Sequence, residues 1–247
     1  MKTRLLAALA VLPVMMAAGC RSPKYVHRYR SVLKDFTVSA PWDWDVIAEA
    51  QKGNFSEVRF IGPSDPDFFL GEPSLSVRWY KRNRPHRLAD GSMEMYADAD
   101  DFILQTLSQL YRYRFGDDKE RTILYGAGQR EDGGREILAG PADIPTITLK
   151  ESGLQAKYFI VLSPTPAPPN SRQGVDVGPD GAAYNMRMHA YAVVPMQGGF
   201  YVLCYPATRR GFDRYEDRFR VLVNTFHPLT AGPGGAKVLL RPAAARG

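Results

Sequence analysis

One stretch constrains the possible folds more than any other part of the chain: Gly198–Phe226, which reads GGFYVLCYPATRRGFDRYEDRFRVLVNTF. It opens with a Gly-Gly turn signal, and residues 200–206 favour a strand that leads into a polar turn rich in arginine. From Phe212 onwards, apolar residues recur at helical spacing with charged residues between them. The stretch therefore predicts a strand, a turn and a helix that packs on a sheet, and it carries no catalytic motif.

The two ends of this stretch extend the prediction. Residues 186–195 favour another strand, and with the glycines at 198 and 199 they predict a hairpin with residues 200–206. Asp213 and Glu216 have the spacing of a capping box at the start of the helix. His227-Pro228 marks its end, because proline does not continue a helix.

A second helix is predicted from Asp98 to about Tyr113. Its first turn is acidic, which suits the positive end of the helix dipole, and Asp98 has the character of an N-cap residue. Asp98, Asp100 and Asp101 also resemble part of a calcium site, but the glycine and the distal glutamate of a calcium loop are missing. Capping is therefore the favoured role of this cluster.

The first 19 residues have the pattern of an export signal. Lys2 and Arg4 give a basic start, and an apolar run over residues 5–18 is followed by small residues just before Cys20. The run is shorter than the roughly 20 apolar residues of a membrane-spanning helix. We therefore expect residues 1–19 to direct export and then to be removed.

Residues 17–20, Ala-Ala-Gly-Cys, resemble the lipobox of bacterial lipoproteins, although Ala17 stands where that family most often has leucine. The resemblance implies that Cys20 receives a diacylglyceryl group and becomes the first residue after cleavage. Arg21 in place of aspartate resembles lipoproteins that are sorted to an outer membrane, facing the periplasm. An ordinary secretory signal that ends near a cysteine is the alternative.

The charge and the cysteine content exclude some functions. Without residues 1–19 the chain keeps 30 Lys+Arg against 26 Asp+Glu, because Lys2 and Arg4 are the only charged residues removed. This excess is small and dispersed, so no nucleic-acid partner is expected. Cys204 is the only other cysteine, and an intramolecular disulfide would need an unacylated Cys20.

The remaining sequence predicts one domain. We expect a polar tether over residues 20–34, a globular domain over 35–228, and a low-complexity tail over 229–247. A proline- and glycine-rich segment over 163–183 predicts a flexible insertion. The other predicted strands are 35–40, 56–61, 74–81, 121–125, 135–138, 146–150 and 156–162.

Two parts of this pattern are distinctive: Pro-x-x-Trp at Pro41–Trp44, and the terminal strand, turn and helix that end in Thr225-Phe226. Together they resemble the PsbP-like superfamily, which includes photosystem subunit P, the Ran-binding Mog proteins and envelope lipoproteins. The resemblance implies an α+β fold in which helices sandwich an antiparallel sheet, an α/β/α arrangement. It also favours a non-catalytic role, because members are known as binding and assembly factors. The insertion and the long 115–155 region depart from the family.

The sharpest enzymatic alternative is a pair formed by Cys204 and His189. If Gln197-Gly198 forms a two-residue turn, Tyr191 faces Cys204, and His189 lies diagonally on the same face of the sheet. The apolar neighbours of Cys204 raise the pKa of a thiol and so suppress its nucleophilicity. These neighbours therefore favour a core role for Cys204 over a catalytic one.

No other constellation suggests catalysis, a metal or a cofactor. The histidines lack metal-ligand spacing, and phosphate-binding and dinucleotide motifs are absent from the sequence. The carboxylate pairs 43/45 and 65/67 lie in turn sequences, where aspartate caps the backbone. Trp42 and Trp44 suggest either an aromatic ligand platform or, more commonly, a plug at the end of a core.

The function expected from these features is non-catalytic. We expect a protein held in the cell envelope by the acylated Cys20, whose domain binds another protein or stabilises an envelope assembly. The alternative is a periplasm-facing domain that binds a lipid or another small ligand beside its sheet. The sequence contains no signal for the identity of the partner or of the ligand.

Overall fold

The computed structural model describes residues 26–51, 53–68, 72–88, 91–110, 122–124, 144–166, 176–177, 181, 183–233 and 235. Two helices lie in this part of the chain, α1 (Ala99–Leu110) and α2 (Phe212–Thr225). The strands are β1 (Val26–Arg30), β2 (Phe36–Pro41), β3 (Asp45–Gln51), β4 (Phe55–Ile61), β5 (Ser74–Lys81), β6 (His86–Arg87), β7 (Met93–Glu94), β8 (Thr122–Leu124), β9 (Thr146–Thr148), β10 (Gln155–Pro166), β11 (Asp176–Val177), β12 (Ala183–Met196), β13 (Gly199–Tyr205) and β14 (His227–Pro228).

Most strands form one antiparallel sheet. Its order is β3-β4-β5-β13-β12-β10-β8, with β9 added to β10 and β11 added to β12. A small sheet, β1-β2-β14, and a two-stranded pair, β6-β7, accompany it. The described part of the chain is thus mainly antiparallel sheet with two helices. Neither helix is long and apolar enough to span a membrane, and this statement covers only the described residues.

Strand β13 lies at the centre of the main sheet, and all of its residues are buried. The predicted hairpin between β12 and β13 is confirmed, and its turn lies at Gln197-Gly198, because Met196 pairs with Gly199 and Tyr191 with Cys204. Side chains alternate between the two faces of a strand, so β13 contributes to two core clusters. Phe200, Val202 and Cys204 share a cluster with α1, and Tyr201, Leu203 and Tyr205 share the other with α2.

The helices begin for different reasons. Asp98 accepts hydrogen bonds from the backbone N–H groups of Asp100 and Asp101, both at 3.0 Å, which confirms its capping role. The capping box predicted at Asp213 and Glu216 is wrong: α2 begins at Phe212 after Gly211, without a side-chain cap. A Cβ atom at Gly211 would lie 2.5 Å from the Phe68 ring, so close packing, rather than a cap, determines this turn.

The predicted tether over 20–34 is wrong in its second half. Residues 26–30 form β1, which pairs with β2 along its whole length. Tyr29 packs edge-on against Phe60 at 5.2 Å, and Arg28 bonds to Thr37 at 2.7 Å, so a polar segment is held by a few long side chains. The export signal and Cys20 lie outside the described residues.

The predicted insertion over 163–183 is also wrong where it is described. Strand β10 continues through Pro166, with Pro164 opposite Met186 and Pro166 opposite Tyr184. Two prolines placed two residues apart direct their missing N–H groups to the same side, so the pairing with β12 survives. Residues 176–177 and 183 also lie in strands, and the rest of the segment lies outside the described residues.

The domain continues past its predicted end at residue 228. The backbone N–H groups of Leu229 and Thr230 bond to the carbonyl oxygen of Asp35 at 2.6 and 3.2 Å. Gly232 is buried against Trp79, where a Cβ atom would lie 2.3 Å from the indole ring. The start of the predicted tail therefore belongs to the core, while the predicted strand at 135–138 lies outside the described residues.

Candidate functional site

The sequence pair Cys204 and His189 lies in a group of polar side chains on the α1 side of the main sheet. Cys204 is 2% exposed and faces Tyr191 across the β12–β13 pair. The Tyr191 hydroxyl lies 3.4 Å from Nδ1 of His189. Tyr191 therefore lies between the two predicted residues: it faces Cys204 across the strands, and its hydroxyl contacts the His189 ring.

The protonation states of this group oppose nucleophilic catalysis. Burial raises the pKa of the Cys204 thiol to about 11. Burial also lowers the pKa of His189 well below its ordinary value, and the positive charges of Arg187 and Arg78 lower it further. Both side chains are therefore neutral near pH 7, so they do not form the thiolate–imidazolium pair that a cysteine enzyme uses.

The charged part of the same face is an ion-pair group on β4 and β5. Arg78 donates from Nε to Oε1 of Glu57 at 2.7 Å, and Nε of Arg59 lies 3.5 Å from the other carboxylate oxygen. Burial alone would lower the pKa of Arg78, but nearby Tyr80 and Glu57 outweigh it and raise that pKa. Ser76 lies beside this group, and its buried hydroxyl has no hydrogen-bond partner among the described residues.

A second buried polar group lies at the other end of this face. The His86 ring stacks on Phe55 with centroids 4.9 Å apart, and its Nε2 lies 3.6 Å from Glu94. The Tyr96 hydroxyl also donates to Glu94. The nearby His86 is the main cause that lowers the pKa of Glu94, and the hydrogen bond from Tyr96 lowers it further, so this carboxylate on β7 stays ionised.

The two tryptophans are not brought together as a ligand platform. Trp44 is buried and packs edge-on against Tyr215 at 5.4 Å, with the Arg218 guanidinium 5.2 Å from its ring. Trp42 is 63% exposed in the turn before β3. Trp44 therefore acts as the core plug that the sequence favoured, and Trp42 is a surface residue.

The carboxylate pairs have structural roles. Asp65 accepts a hydrogen bond from the backbone N–H of Asp67 at 3.0 Å, and Arg214 forms ion pairs with both carboxylates. Burial opposes ionisation of Asp65, but the bonds from Asp67 and Arg214 lower its pKa overall. Across the described ranges, no group of three or more His, Cys, Asp or Glu side chains is placed to hold a metal ion.

Strand β3 is the surface feature that the sequence analysis missed. It is the outermost strand of the main sheet, pairs with β4 over all seven residues, and exposes six of them. Val46 and Ile47, which point to opposite faces, are 41% and 42% exposed. The Gly53-Asn54 turn before Phe55 is the signal that should have suggested a hairpin here.

No family model and no curated protein matches the chain. Among solved structures, the chain is similar to cyanobacterial PsbP from Synechocystis sp. PCC 6803, with 12% sequence identity and a TM-score of 0.39. The match covers 87% of this chain and 98% of that one.

Proposed function

We propose that the chain is a lipid-anchored protein of the cell envelope, whose non-catalytic domain binds another protein or stabilises an envelope assembly. In this proposal the acylated Cys20 holds the protein at the outer membrane, facing the periplasm. The domain has a PsbP-like α/β/α arrangement. The alternation of β13 side chains between a cluster with α1 and a cluster with α2 supports that arrangement.

The non-catalytic part of the proposal is supported by the state of the strongest candidate pair. The Cys204 thiol is buried, and its pKa is raised to about 11. The neighbouring His189 has a lowered pKa, so it carries no charge with which to stabilise a thiolate. An unchanged cellular phenotype after Cys204→Ser is the expected result, and loss of function in a variant that keeps the wild-type melting temperature would favour a thiol enzyme instead.

The protein-binding part is carried by one observation, the exposed outer edge of β3. A sheet edge presents unpaired backbone N–H and C=O groups, which bind an extended segment of another polypeptide by adding a strand. The exposed Val46 and Ile47 lie on the two faces of this strand, so an added strand would cover apolar side chains on both. Backbone pairing would supply affinity, and these side chains would supply specificity.

The anchor is tested by labelling cells with a palmitate analogue and then separating their membranes. We expect the wild-type chain to be labelled and to fractionate with the outer membrane. Cys20→Ala should lose both the label and the membrane association. Wild-type protein that stays unlabelled and behaves like Cys20→Ala would refute the anchoring proposal.

The binding surface is tested by placing a photo-crosslinking amino acid at Ile47 in intact cells. We expect a discrete crosslinked protein, which Ala48→Lys should abolish because a lysine on a strand edge opposes pairing. The matched control position is Val177, which is 69% exposed on β11, a strand that pairs with β12 and not with β3 or β4. Equal crosslinking from Ile47 and Val177 would show that β3 is no specific surface.

A second function, binding of a small ligand with an acidic headgroup, is favoured by the arginines beside Ser76. Arg59 and Arg78 share the single carboxylate of Glu57, and the buried Ser76 hydroxyl has no bonding partner in the described part of the chain. A fatty acid or inorganic phosphate that binds there should raise the melting temperature. Arg59→Gln should reduce that rise, and an equal rise in this variant would contradict the site.

A further inference from the structure

Strand β3 forms a long and regular edge of the main sheet. Its pairing with β4 runs from Asp45 opposite Ile61 to Gln51 opposite Phe55 without an extra residue on either strand. No described strand pairs with its outer side. At the opposite end of the order, the described part of β8 has only three residues. The β3 edge is therefore the larger template for strand addition.

This edge lacks the devices that normally prevent strands from pairing between molecules. Residues 45–51 read Asp-Val-Ile-Ala-Glu-Ala-Gln, with no proline, no lysine and no glycine. Proteins usually protect such an edge with a bulge, a proline or an inward-pointing charge. The only charged side chains here belong to Asp45 and Glu49. The strand is suited to pairing, and its few charges limit the registers it can adopt.

We propose that β3 pairs antiparallel with β3 of a second copy of this chain, with the two-fold axis at Ala48. The inference rests on the proposed use of the β3 edge for protein binding, and it names the partner. Such an interface is isologous, because the same patch on both copies forms it. The two main sheets then join into one continuous sheet.

The distribution of charge selects this register. In an antiparallel pair, side chains that face each other point to the same side of the sheet. When the two strands are identical and related by a two-fold axis perpendicular to the sheet, that axis must therefore lie at a residue and not midway between two residues. Centring on Ile47 places Asp45 opposite Glu49 of the second copy, and centring on Glu49 places two glutamates opposite each other. Like charges that face each other directly destabilise a strand pair. Ala48 is the centre that pairs all seven residues and avoids both contacts.

The side chains also fit when Ala48 is the centre. On one face Val46 meets Ala50 of the second copy and Ala48 meets itself, which forms an apolar row of small and branched side chains. On the other face Asp45 meets Gln51 of the second copy, and Ile47 meets Glu49. Both half-exposed apolar residues, Val46 and Ile47, are thereby partly covered.

The contact is one pair of strands, so we expect a reversible dimer and not an obligate one. Interfaces at the small end of the observed range are usually weak. Anchoring both copies to one membrane would raise their effective concentration. The pairing itself uses only residues 45–51 and does not depend on the anchor, so it is measurable with purified protein.

Disulfide trapping tests the register directly. The full chain carrying Cys20→Ala keeps Cys204 as its only native thiol, and that thiol is buried. Facing residues of an antiparallel pair have Cα atoms about 4.5–5.5 Å apart, a separation that a disulfide can bridge. Ala48→Cys in this background should therefore form a covalent dimer under mild oxidation.

Ala50→Cys is the matched control, since it is an exposed alanine on the same face of the same strand. In the proposed register the two copies of residue 50 are offset by four residues, about 13 Å along the strand. This variant should stay monomeric. Dimers from neither variant, or equal dimers from both, would overturn the register and the proposal.

Sedimentation of the Cys20→Ala chain supplies an independent measurement. We expect a concentration-dependent dimer that Ala48→Lys converts to a monomer with an unchanged melting temperature. A chain that remains monomeric at every concentration refutes self-pairing. If Ile47 then crosslinks a different protein in cells, the proposed function stands without a second copy as the partner; if it crosslinks nothing, both fail.

Discussion

The thiol of Cys204 is predicted to be almost unreactive in the folded protein. Burial raises its pKa from an ordinary value of 9.0 to about 11, so the reactive thiolate is about 100-fold scarcer below pH 9 than in the unfolded chain. Its 2% exposure should slow attack further. We therefore expect alkylation by iodoacetamide at pH 7.4 to be at least about 100-fold slower in native than in denatured protein.

The experiment uses the Cys20→Ala chain, in which Cys204 is the only native cysteine, and mass spectrometry follows the alkylated fraction over time. Addition of Met93→Cys provides an exposed thiol in the same folded molecule as a control. Between pH 7 and 10 the native rate should rise about tenfold per pH unit, because the thiol titrates above this range. A native rate within about threefold of the denatured rate at pH 7.4 would refute the inertness on which the non-catalytic proposal depends.

Three further predictions concern stability. Tyr201 donates to Oδ2 of the buried Asp35 at 2.9 Å, so Tyr201→Phe should lower the free energy of unfolding by about 1.5–3 kcal/mol in urea titrations, and a negligible loss would contradict this. The pKa of Glu94 is lowered in the folded protein, so its ionised form stabilises the fold above the unfolded pKa, and this stability is lost as pH falls below about 4.3. Glu94→Gln should therefore lose less stability than the wild type in unfolding curves taken from pH 3 to 7. An unchanged pH profile in this variant would contradict the role of Glu94. Gly211→Ala should cost about 1–3 kcal/mol by thermal denaturation, because its Cβ would lie 2.5 Å from the Phe68 ring; a neutral effect would show that the ring moves aside easily.

The parts of the fold that the sequence predicted are those with a strong local signal. The apolar spacing of α2 follows from its burial on one side, the β12–β13 hairpin follows from the glycines at its bend, and both are found. Strand β3 gave no such signal. It is held by backbone pairing with β4 while its side chains remain exposed, so its sequence carries no period of two.

The same limit applies to β1 and to the candidate site. Strand β1 is polar, and its attachment depends on Tyr29 and Arg28 reaching residues on other strands, contacts that local patterns do not encode. For Cys204 the register with Tyr191 was predictable because a short turn determines it. That Arg78 and Glu57 share the face of Cys204 was not predicted, because it depends on β5 pairing with β13, a contact between segments far apart in sequence.

The candidate nucleophile Cys204 is buried, whereas the proposed binding strand β3 is exposed, so the two can be tested by separate substitutions. Cys204, His189 and Arg78, whose pKa values are shifted, lie on central strands of the main sheet, where a substitution also changes packing and therefore stability. The β3 side chains contribute little to the core, because six of its seven residues are exposed. A substitution such as Ala48→Lys should therefore remove association while the free energy of unfolding stays within about 0.5 kcal/mol. Loss of binding with retained stability would locate the function at the edge, whereas coupled losses would place it in the core.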